Sequence, residues 1–550
     1  MKILGFQSGH DVSYCILENG VPVIHEELER FIREKEPLGD GLAMAFDRIP
    51  SDVTDNLQWF VHGNPGGRHG KYKDACNSPE AHDKMVSTIK RNDGNFFCIG
   101  HHQSHAANAF YSSNFDEALI ITIDGSGTEK SIPSDYTYEF MRNGNWDGCQ
   151  SFPCAFTVWL GKGNKISPIH RLHSNLLTLG SPWRYYTGEL FGLSSGHPHG
   201  FAGGTIMAMA SAGTAKYWID FANGFSQGNG GHSDKVKEIV KKYKPIVEKS
   251  EQDMFDVACS LQYATEKIAY DLITPYIKHF PQAKNICLSG GVALNTTMVG
   301  WMTKWYPDSN IFVCPVPYDG GLSIGSAQYL YHHIMDKPRV KWDPHPTPYL
   351  GITYSQDEVT KALQRDDLTY TTVTDNDVIE LLDDQKIVSL FHGGAESGRR
   401  ALGNRSIIAD PRSTDMKDKI NEKVKHRQWY RPFAPAILRE DVKDWFVKDI
   451  DSPYMSFVIE FKDEVKDKVP AVVHINGTGR LQTVTQKGNG WFYEFLKMWK
   501  EKSGVPILLN TSFNDREPIV ETPAHAVNCF MGTDIDYLYF SDYKILVKKK

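Results

Sequence analysis

Through most of the chain, apolar residues fall into short runs broken by glycine, asparagine and proline. Such runs predict strands. Lys2–Phe6 is the first; Gln7-Ser8-Gly9-His10-Asp11 follows, then a second run, Val12–Leu17. Asn19-Gly20 is a two-residue hairpin signal, and Val21–His25 pairs back across it. The same order returns later. Leu119–Ile123 predicts a strand and Asp124-Gly125-Ser126-Gly127-Thr128 a loop; Tyr136–Met141 predicts a second strand, Asn143-Gly144 a turn and Asn145-Trp146 the return. A unit that occurs twice predicts two related lobes with a ligand between them. Helical spacing takes over elsewhere. Glu26–Lys35 reads as a charged helix, Lys235–Lys249 as a polar, solvated one, and Phe255, Ala258, Leu261, Thr265, Ile268, Leu272 and Tyr276 as the buried face of a long one. Residues 62–80 read as a surface insertion, Gly224–Gly231 as a loop and the prolines of 337–349 as a linker. The expected division is 1–345 and 346–550.

Chemistry collects at the strand ends. Phe97–Gly100 reads as a strand leading into His101-His102-Gln103-Ser104-His105. Histidines four apart share a face of a helix. Asp124 ends a buried run, and Asp319 follows another, Asn310–Cys314. Two imidazoles and two carboxylates suit a divalent metal such as iron or zinc. The glycines after Asp124 would turn backbone N–H groups toward an anion. Asn285–Leu288 leads to Ser289-Gly290-Gly291-Val292-Ala293-Leu294-Asn295, a second strand-to-glycine junction of the kind that binds ligands in α/β folds. Past the linker, a strand at Lys386–Phe391 and another at Val505–Leu509 frame a run of cations: Arg399, Arg400, Arg405, Arg431 and Arg480 stand beside glycine turns, serines and asparagines. Guanidinium is planar and always charged, so this set suits phosphate. Trp183, Arg184, Tyr185 and Tyr186 could stack a base or fill a core.

Composition narrows the class. The chain has 550 residues, 41% hydrophobic and 12% aromatic, and a net charge of −7. That is globular, too long for one core, and argues against broad nucleic-acid binding through charge alone. No run of about 18 apolar residues occurs. Met1-Lys2-Ile3-Leu4-Gly5 leads into a strand rather than a signal peptide, so a cytoplasmic protein without membrane contact is expected. The nine cysteines form no CxxC pair and read as buried free thiols.

Taken together, these segments resemble the O-carbamoyltransferase family, whose members include nodulation-factor, cephamycin and tobramycin carbamoyltransferases. The matching segments are Gly9-His10-Asp11-Val12-Ser13, His101–Ala107, Asp124–Gly127, Ser289–Asn295, Asp319-Gly320-Gly321, Arg400-Ala401-Leu402-Gly403-Asn404-Arg405-Ser406, Arg431-Pro432-Phe433-Ala434-Pro435, Arg480-Leu481-Gln482 and Asn510-Thr511-Ser512-Phe513-Asn514. They occur in family order over nearly the whole chain. The resemblance implies an α/β and α+β protein: a duplicated actin-like (ASKHA-type) domain over 1–345, then a YrdC-like domain over 346–550.

It also implies two steps. Carbamoyl phosphate and ATP give carbamoyl adenylate in the second domain; the first passes the carbamoyl group to a hydroxyl. By the same resemblance His101, His105, Asp124 and Asp319 would hold the metal, Fe2+ in preference to Mg2+, Mn2+ or Zn2+. Gly125, Ser126, Gly127, Gly290, Gly291 and Asn295 would lie along the nucleotide. Arg400, Asn404, Arg405, Ser406, Arg431, Arg480, Asn510 and Ser512 would hold carbamoyl phosphate and ATP. Asp11 or His10 is the candidate base. The acceptor is open between a small molecule and a hydroxymethylated pyrimidine in DNA, and the resemblance admits a homodimer. A threonylcarbamoyl-type RNA modifier, an actin-like kinase and a non-catalytic binding module are the rivals. Two departures stand out: Arg399 occupies the family's proline before Arg-Ala-Leu-Gly, and Thr205 and Ala208 replace the lysine and a glycine of Gly-Lys-x-Met-Gly-Leu-Ala.

Overall fold

The computed structural model describes residues 1–49, 53–54, 56–63, 87, 96–130, 151–196, 199–225 and 233–550. It forms two compact units. One comprises Met1–Met298 and Met302–His345, the other Val299–Trp301 and Pro346–Lys550.

The first unit is built on two sheets of one topology. In the first, β1 (Lys2–Gln7), β2 (Ser13–Glu18) and β3 (Val21–Glu27) run antiparallel in succession, and β4 (Trp59–His62) and β5 (Phe96–Cys98) add in parallel on the other side of β1. In the second, β6 (Glu117–Lys130), β7 (Ser151–Lys162) and β8 (Lys165–His173) repeat the antiparallel succession, and β9 (Asn285–Ser289) and β10 (Asn310–Val313) repeat the parallel addition beside β6. The duplication lies in strand order. The hairpin turn of the first sheet is Asn19-Gly20, as expected. That of the second is at Gly163-Asn164, between β7 and β8. The strand expected at Tyr136–Met141, the turn at Asn143-Gly144 and most of the 62–80 insertion lie outside the described residues. So does most of the Gly224–Gly231 loop, whose first residue ends the helix Trp218–Phe225.

The helix expected over Glu26–Lys35 shrinks to Leu28–Ile32, because Glu26 and Glu27 remain in β3. Both side chains turn inward and find partners there. Arg48 Nε donates to Glu26 at 2.8 Å, and the Tyr318 hydroxyl donates to Glu27 at 2.6 Å. The long helix is Glu251–His279. Trp183 and Tyr186 are core residues. The Trp183 indole N–H donates to Thr265, and Tyr186 is fully buried.

The helix His101–Tyr111 is buried along its whole length. It meets the helix Leu322–Gln328 so closely that a Cβ on Gly325 would stand 1.9 Å from the Ser104 carbonyl oxygen. Glycine is required there by packing, and this contact fixes the loop carrying Asp319 against the one carrying His101 and His105. Among the described residues no helix is long and apolar enough to cross a membrane. Seven described cysteines are free, and six of them are buried.

The second unit carries one nine-stranded mixed sheet: β11 (Leu368–Thr372), β12 (Val388–Phe391), β13 (Arg405–Ala409), β14 (Ala434–Leu438), β15 (Phe457–Glu460), β16 (Thr478–Val484), β17 (Ile507–Ser512), β18 (Tyr537–Phe540) and β19 (Ile545–Lys549). The spatial order is β11-β19-β18-β12-β13-β17-β14-β16-β15. Phe492, Phe495, Leu496 and Trp499 of the helix Gly490–Ser503 form its core with Leu390, Ile408 and Leu508.

Candidate functional site

Four separate segments of the first unit converge on one point. His101 and His105 open a helix one turn apart, Asp124 lies within β6, and Asp319 follows β10. One ligand atom from each lies within 4.8 Å of all the others. His101 Nε2 is 3.0 Å from Asp124 Oδ2 and 3.5 Å from Asp319 Oδ1; His105 Nε2 is 3.3 Å from Asp319 Oδ1. All four residues are buried. Burial opposes ionisation of Asp124, but its hydrogen bond with His101 and the neighbouring imidazoles hold its carboxyl well below the usual range. His105 Nε2 has no hydrogen-bond partner and is shut off from solvent. A bare imidazole nitrogen facing two carboxylates is the donor set of a divalent cation, so the residues fit one.

The supports are specific. His25 Nε2 and the Ser13 hydroxyl both bond the Gly320 carbonyl oxygen, at 2.9 and 2.8 Å, steadying the Asp319 loop from the first sheet. The Gly291 N–H donates to Asp124 Oδ1 at 3.0 Å. Gly290 has φ +91°, and a Cβ there would lie 2.2 Å from the Ile123 carbonyl oxygen, so this junction demands glycine. A Cβ on Gly127 would meet the His101 ring at 2.2 Å. Gly125 and Ser126 stand next to Asp124 with Ser126 exposed. Asn295 is spent locally: it caps the helix Thr296–Trp305 through Met298 N–H and exchanges two hydrogen bonds with Gln262. The sequence placed it on the nucleotide, whereas the structure uses its side chain to seat a helix.

His10 and Asp11 adjoin the cluster. His10 Nδ1 is 3.0 Å from Asp11 Oδ2, and its Nε2 is 3.5 Å from Asp319 Oδ2. Burial works against the charged imidazole, but Asp319 and Asp11 outweigh it and raise the group to about 9.

The cations of the second unit divide into two kinds. Arg405 is fully buried and consumed by the fold. Its guanidinium donates to the carbonyl oxygens of His392 at 2.7 Å, Asn404 and Gly393 at 3.0 Å and Glu521 at 3.4 Å, and stacks on Phe391. Expected on phosphate, this guanidinium holds four carbonyls in the structure and so braces the loop. Ser406 and Asn404 brace the same loop. The Ser406 hydroxyl oxygen accepts from Gly403 N–H, and the Asn404 amide donates to the Gly394 carbonyl. The Asn510 amide donates to Ala401 and Gln482, leaving its Oδ1 buried without a partner. The Ser512 hydroxyl donates to Asn514.

Arg431 and Arg480 are the opposite kind. Each is half-buried, and among the described residues neither meets a carboxylate. Burial lowers the pKa of Arg480, and the charges of Arg400 and Arg431 lower it further. Arg427 belongs to the same group, lowered by burial and then by Arg431 and Arg480. Among the described residues Arg427, Arg431 and Arg480 crowd one another with no carboxylate in an ion pair with any of the three. Such an arrangement is stabilised by an anion.

The N-terminal model of the carbamoyltransferase family matches residues 51–328, and its C-terminal model matches 379–548. The chain belongs to the carbamoyltransferase family. Among relatives of this family, nodulation protein NolO of Bradyrhizobium diazoefficiens is 30% identical over 82% of this chain and 79% of its own length. Nodulation protein NolNO of Sinorhizobium fredii is 32% identical over 82% of this chain and 64% of its own length. Uncharacterized protein MJ1051 of Methanocaldococcus jannaschii is 28% identical over 99% of both chains. Among solved structures, HypF of T. kodakarensis superposes with a TM-score of 0.36 and 13% identity, over 61% of this chain and 48% of that one. The protein is thus a carbamoyltransferase enzyme, and both the four-residue cluster and the arginine group lie in segments that the family models cover.

Proposed function

We propose that this carbamoyltransferase is ATP-dependent and works on a hydroxyl in two steps. The observation that carries the reading is the crowding of Arg427, Arg431 and Arg480 in the second unit, none of which meets a carboxylate among the described residues and which a polyanion would balance. In the first step water cleaves carbamoyl phosphate to carbamate and phosphate. A carbamate oxygen then bonds to the α-phosphorus of ATP, and the bond to pyrophosphate breaks, leaving carbamoyl adenylate. Arg400, Arg431 and Arg480 neutralise the phosphates, and Asn510 Oδ1 accepts a donor from the bound molecule. We read this unit, residues 346–550, as the YrdC-like domain.

The second step belongs to 1–345, which we read as actin-like from its duplicated strand order. The acceptor oxygen bonds to the carbamoyl carbon, the bond to the adenylate oxygen breaks, and AMP leaves. Gly125, Ser126 and Gly127 turn N–H groups toward the departing phosphate, while Gly290 and Gly291, whose N–H groups bond Pro317 and Asp124, leave room for the nucleotide by lacking a side chain. His101, His105, Asp124 and Asp319 would hold a divalent ion, iron in preference. When bound, it supplies Lewis-acid stabilisation of phosphate charge. The His10–Asp11 pair, 3.0 Å apart beside the cluster, is the candidate that takes the hydroxyl proton, through the Asp11 carboxylate.

Pyrophosphate release from carbamoyl phosphate and ATP tests the first step. A mass gain of one carbamoyl group across sugar, antibiotic, nodulation-factor and hydroxymethylated-DNA acceptors tests the second. His105→Ala should spare pyrophosphate release and abolish transfer. Equal loss of both contradicts this division of labour, and no pyrophosphate from the parent enzyme with any acceptor sinks the reading.

A further inference from the structure

His474 lies outside every segment on which the family resemblance rests, and the mechanism above does not use it. It sits on the hairpin that delivers Arg480. The turn is Asn476-Gly477, with Gly477 at φ +79°; His474 N–H donates to the Thr478 carbonyl at 2.7 Å, and Gly477 N–H returns to the His474 carbonyl at 2.8 Å. The hairpin thus folds His474 back toward the strand that carries Arg480. Both side chains hold a buried, partnerless nitrogen: Nε2 of His474 and Nε of Arg480.

The tautomer of His474 follows from its neighbours. Its Nδ1 lies 3.1 Å from the Thr478 hydroxyl oxygen. That hydroxyl already donates to Asn476 Oδ1 at 2.8 Å, and the Thr478 backbone N–H points at the same oxygen, at 3.4 Å. With its hydrogen committed, the Thr478 oxygen can only accept, so Nδ1 carries the imidazole hydrogen. Burial, then Arg480 and Lys417, push the ring's pKa down to about 3, so it is neutral under working conditions. Nε2 is then a bare lone pair.

That lone pair is chemically out of place. The groups gathered around it are donors: Arg480, with Arg400, Arg427 and Arg431 about it, and Lys417 from the helix Asp415–Lys423. A ligand made only of phosphate oxygens would leave Nε2 without a hydrogen bond. A ligand that brings an N–H along with its phosphate would satisfy both. Carbamoyl phosphate has that composition, because its amide stands one bond from the carbon that bears the phosphate ester oxygen.

We propose that His474 Nε2 accepts the amide N–H of the carbamoyl donor and so distinguishes carbamoyl phosphate from acyl phosphates that carry a methyl group in its place. This deepens the function proposed above and rests on it. The two acyl phosphates have nearly one shape, and packing alone discriminates weakly between such pairs; a buried acceptor left unpaired discriminates strongly.

The experiment compares carbamoyl phosphate with acetyl phosphate in the ATP-dependent pyrophosphate release assay. The parent enzyme should prefer carbamoyl phosphate. His474→Leu should raise the KM for carbamoyl phosphate roughly tenfold or more and leave that for acetyl phosphate within about twofold. His474→Gln, which keeps an acceptor oxygen, should restore most of the preference. Nitrogen-15 spectra of the free parent protein should show His474 with its proton on Nδ1, and the Nε2 signal should move with carbamoyl phosphate but not with acetyl phosphate. Parent activity together with an unchanged preference in His474→Leu overturns the inference, as does a proton found on Nε2. Loss of both substrates alike in His474→Leu, with Gln giving no rescue, overturns it as well. Absence of pyrophosphate release from the parent enzyme is a different outcome, and it overturns the proposed function instead.

Discussion

The two charged centres of this protein differ in how their charges are balanced. In the first unit, two imidazoles and two carboxylates face one another within 4.8 Å, brought together by four distant segments. In the second, Arg427, Arg431 and Arg480 crowd one another, and none of them meets a carboxylate among the described residues. The first centre is a closed set whose composition suits a cation. The second is an open set whose composition suits an anion. Arg405 shows why residue type alone did not separate open from closed: the same side chain, a few residues from Arg400, donates to four backbone carbonyls.

The largest effect should come from breaking the closed member of the second unit. Arg405→Ala would leave the carbonyls of Gly393, His392 and Asn404 buried without their donor. Leaving a buried acceptor without its donor costs about 1–3 kcal/mol. Urea denaturation should show a loss of that size, and Arg405→Lys should recover little, since an ammonium cannot span the same fork. An Arg405→Ala protein of parental stability would contradict the bracing role.

Arg480→Ala should do the reverse. Pyrophosphate release should fall by about 10²–10³-fold, as when one preorganised charge-stabilising donor is removed. Stability should hold or rise, because the deletion relieves like-charge repulsion and strips no described partner. Added inorganic pyrophosphate should raise the parent's melting temperature, equivalent to about 2.7 kcal/mol at a hundred times its Kd. It should not raise that of Arg480→Ala. If Arg480→Ala unfolds as readily as Arg405→Ala, the distinction between open and closed sets fails.

What the sequence revealed follows the same line. Strand runs ending in glycine, and the Asn-Gly turn after β2, marked the first sheet directly. His101, His105, Asp124 and Asp319 were legible because the histidines share a helix face at a spacing of four and each aspartate follows an apolar strand run and precedes glycine. The turn at Gly163-Asn164 was not read from the sequence, because Gly-Asn between two long strands is a weak turn signal and strand pairing is what identifies it. The fate of Arg405 was illegible for a related reason. Its acceptors are backbone carbonyls at 392–393 and 521, which carry no residue signature. Asn295 was misread in the same way, as its partners are Gln262 and a backbone N–H. His474 was missed, although Asn476-Gly477 signalled that the chain doubles back there toward Arg480.

The smallest effect probes a buried acid of the first unit that joins neither centre. Glu266, on the long helix, is buried and receives a hydrogen bond from Gln262 at 2.7 Å, the side chain that also holds Asn295. Burial raises its pKa to about 7, against the lowering effect of Gln262. A carboxyl whose folded-state pKa lies above its unfolded value stabilises the fold in its protonated form. That contribution is complete below the unfolded value of about 4.3 and is lost as pH rises through 7. Glu266→Gln holds the protonated shape at every pH. Its stability should match the parent's near pH 4 and exceed it by on the order of 1–3 kcal/mol at pH 8, the shift converted at 1.36 kcal/mol per unit and reduced for relaxation around the charge. A constant difference across that range would place Glu266 with carboxylates such as Asp124, whose ionised form the fold favours. A difference that opens between pH 4.3 and 7 keeps it apart from them, as a buried acid that the fold tolerates only while it is neutral.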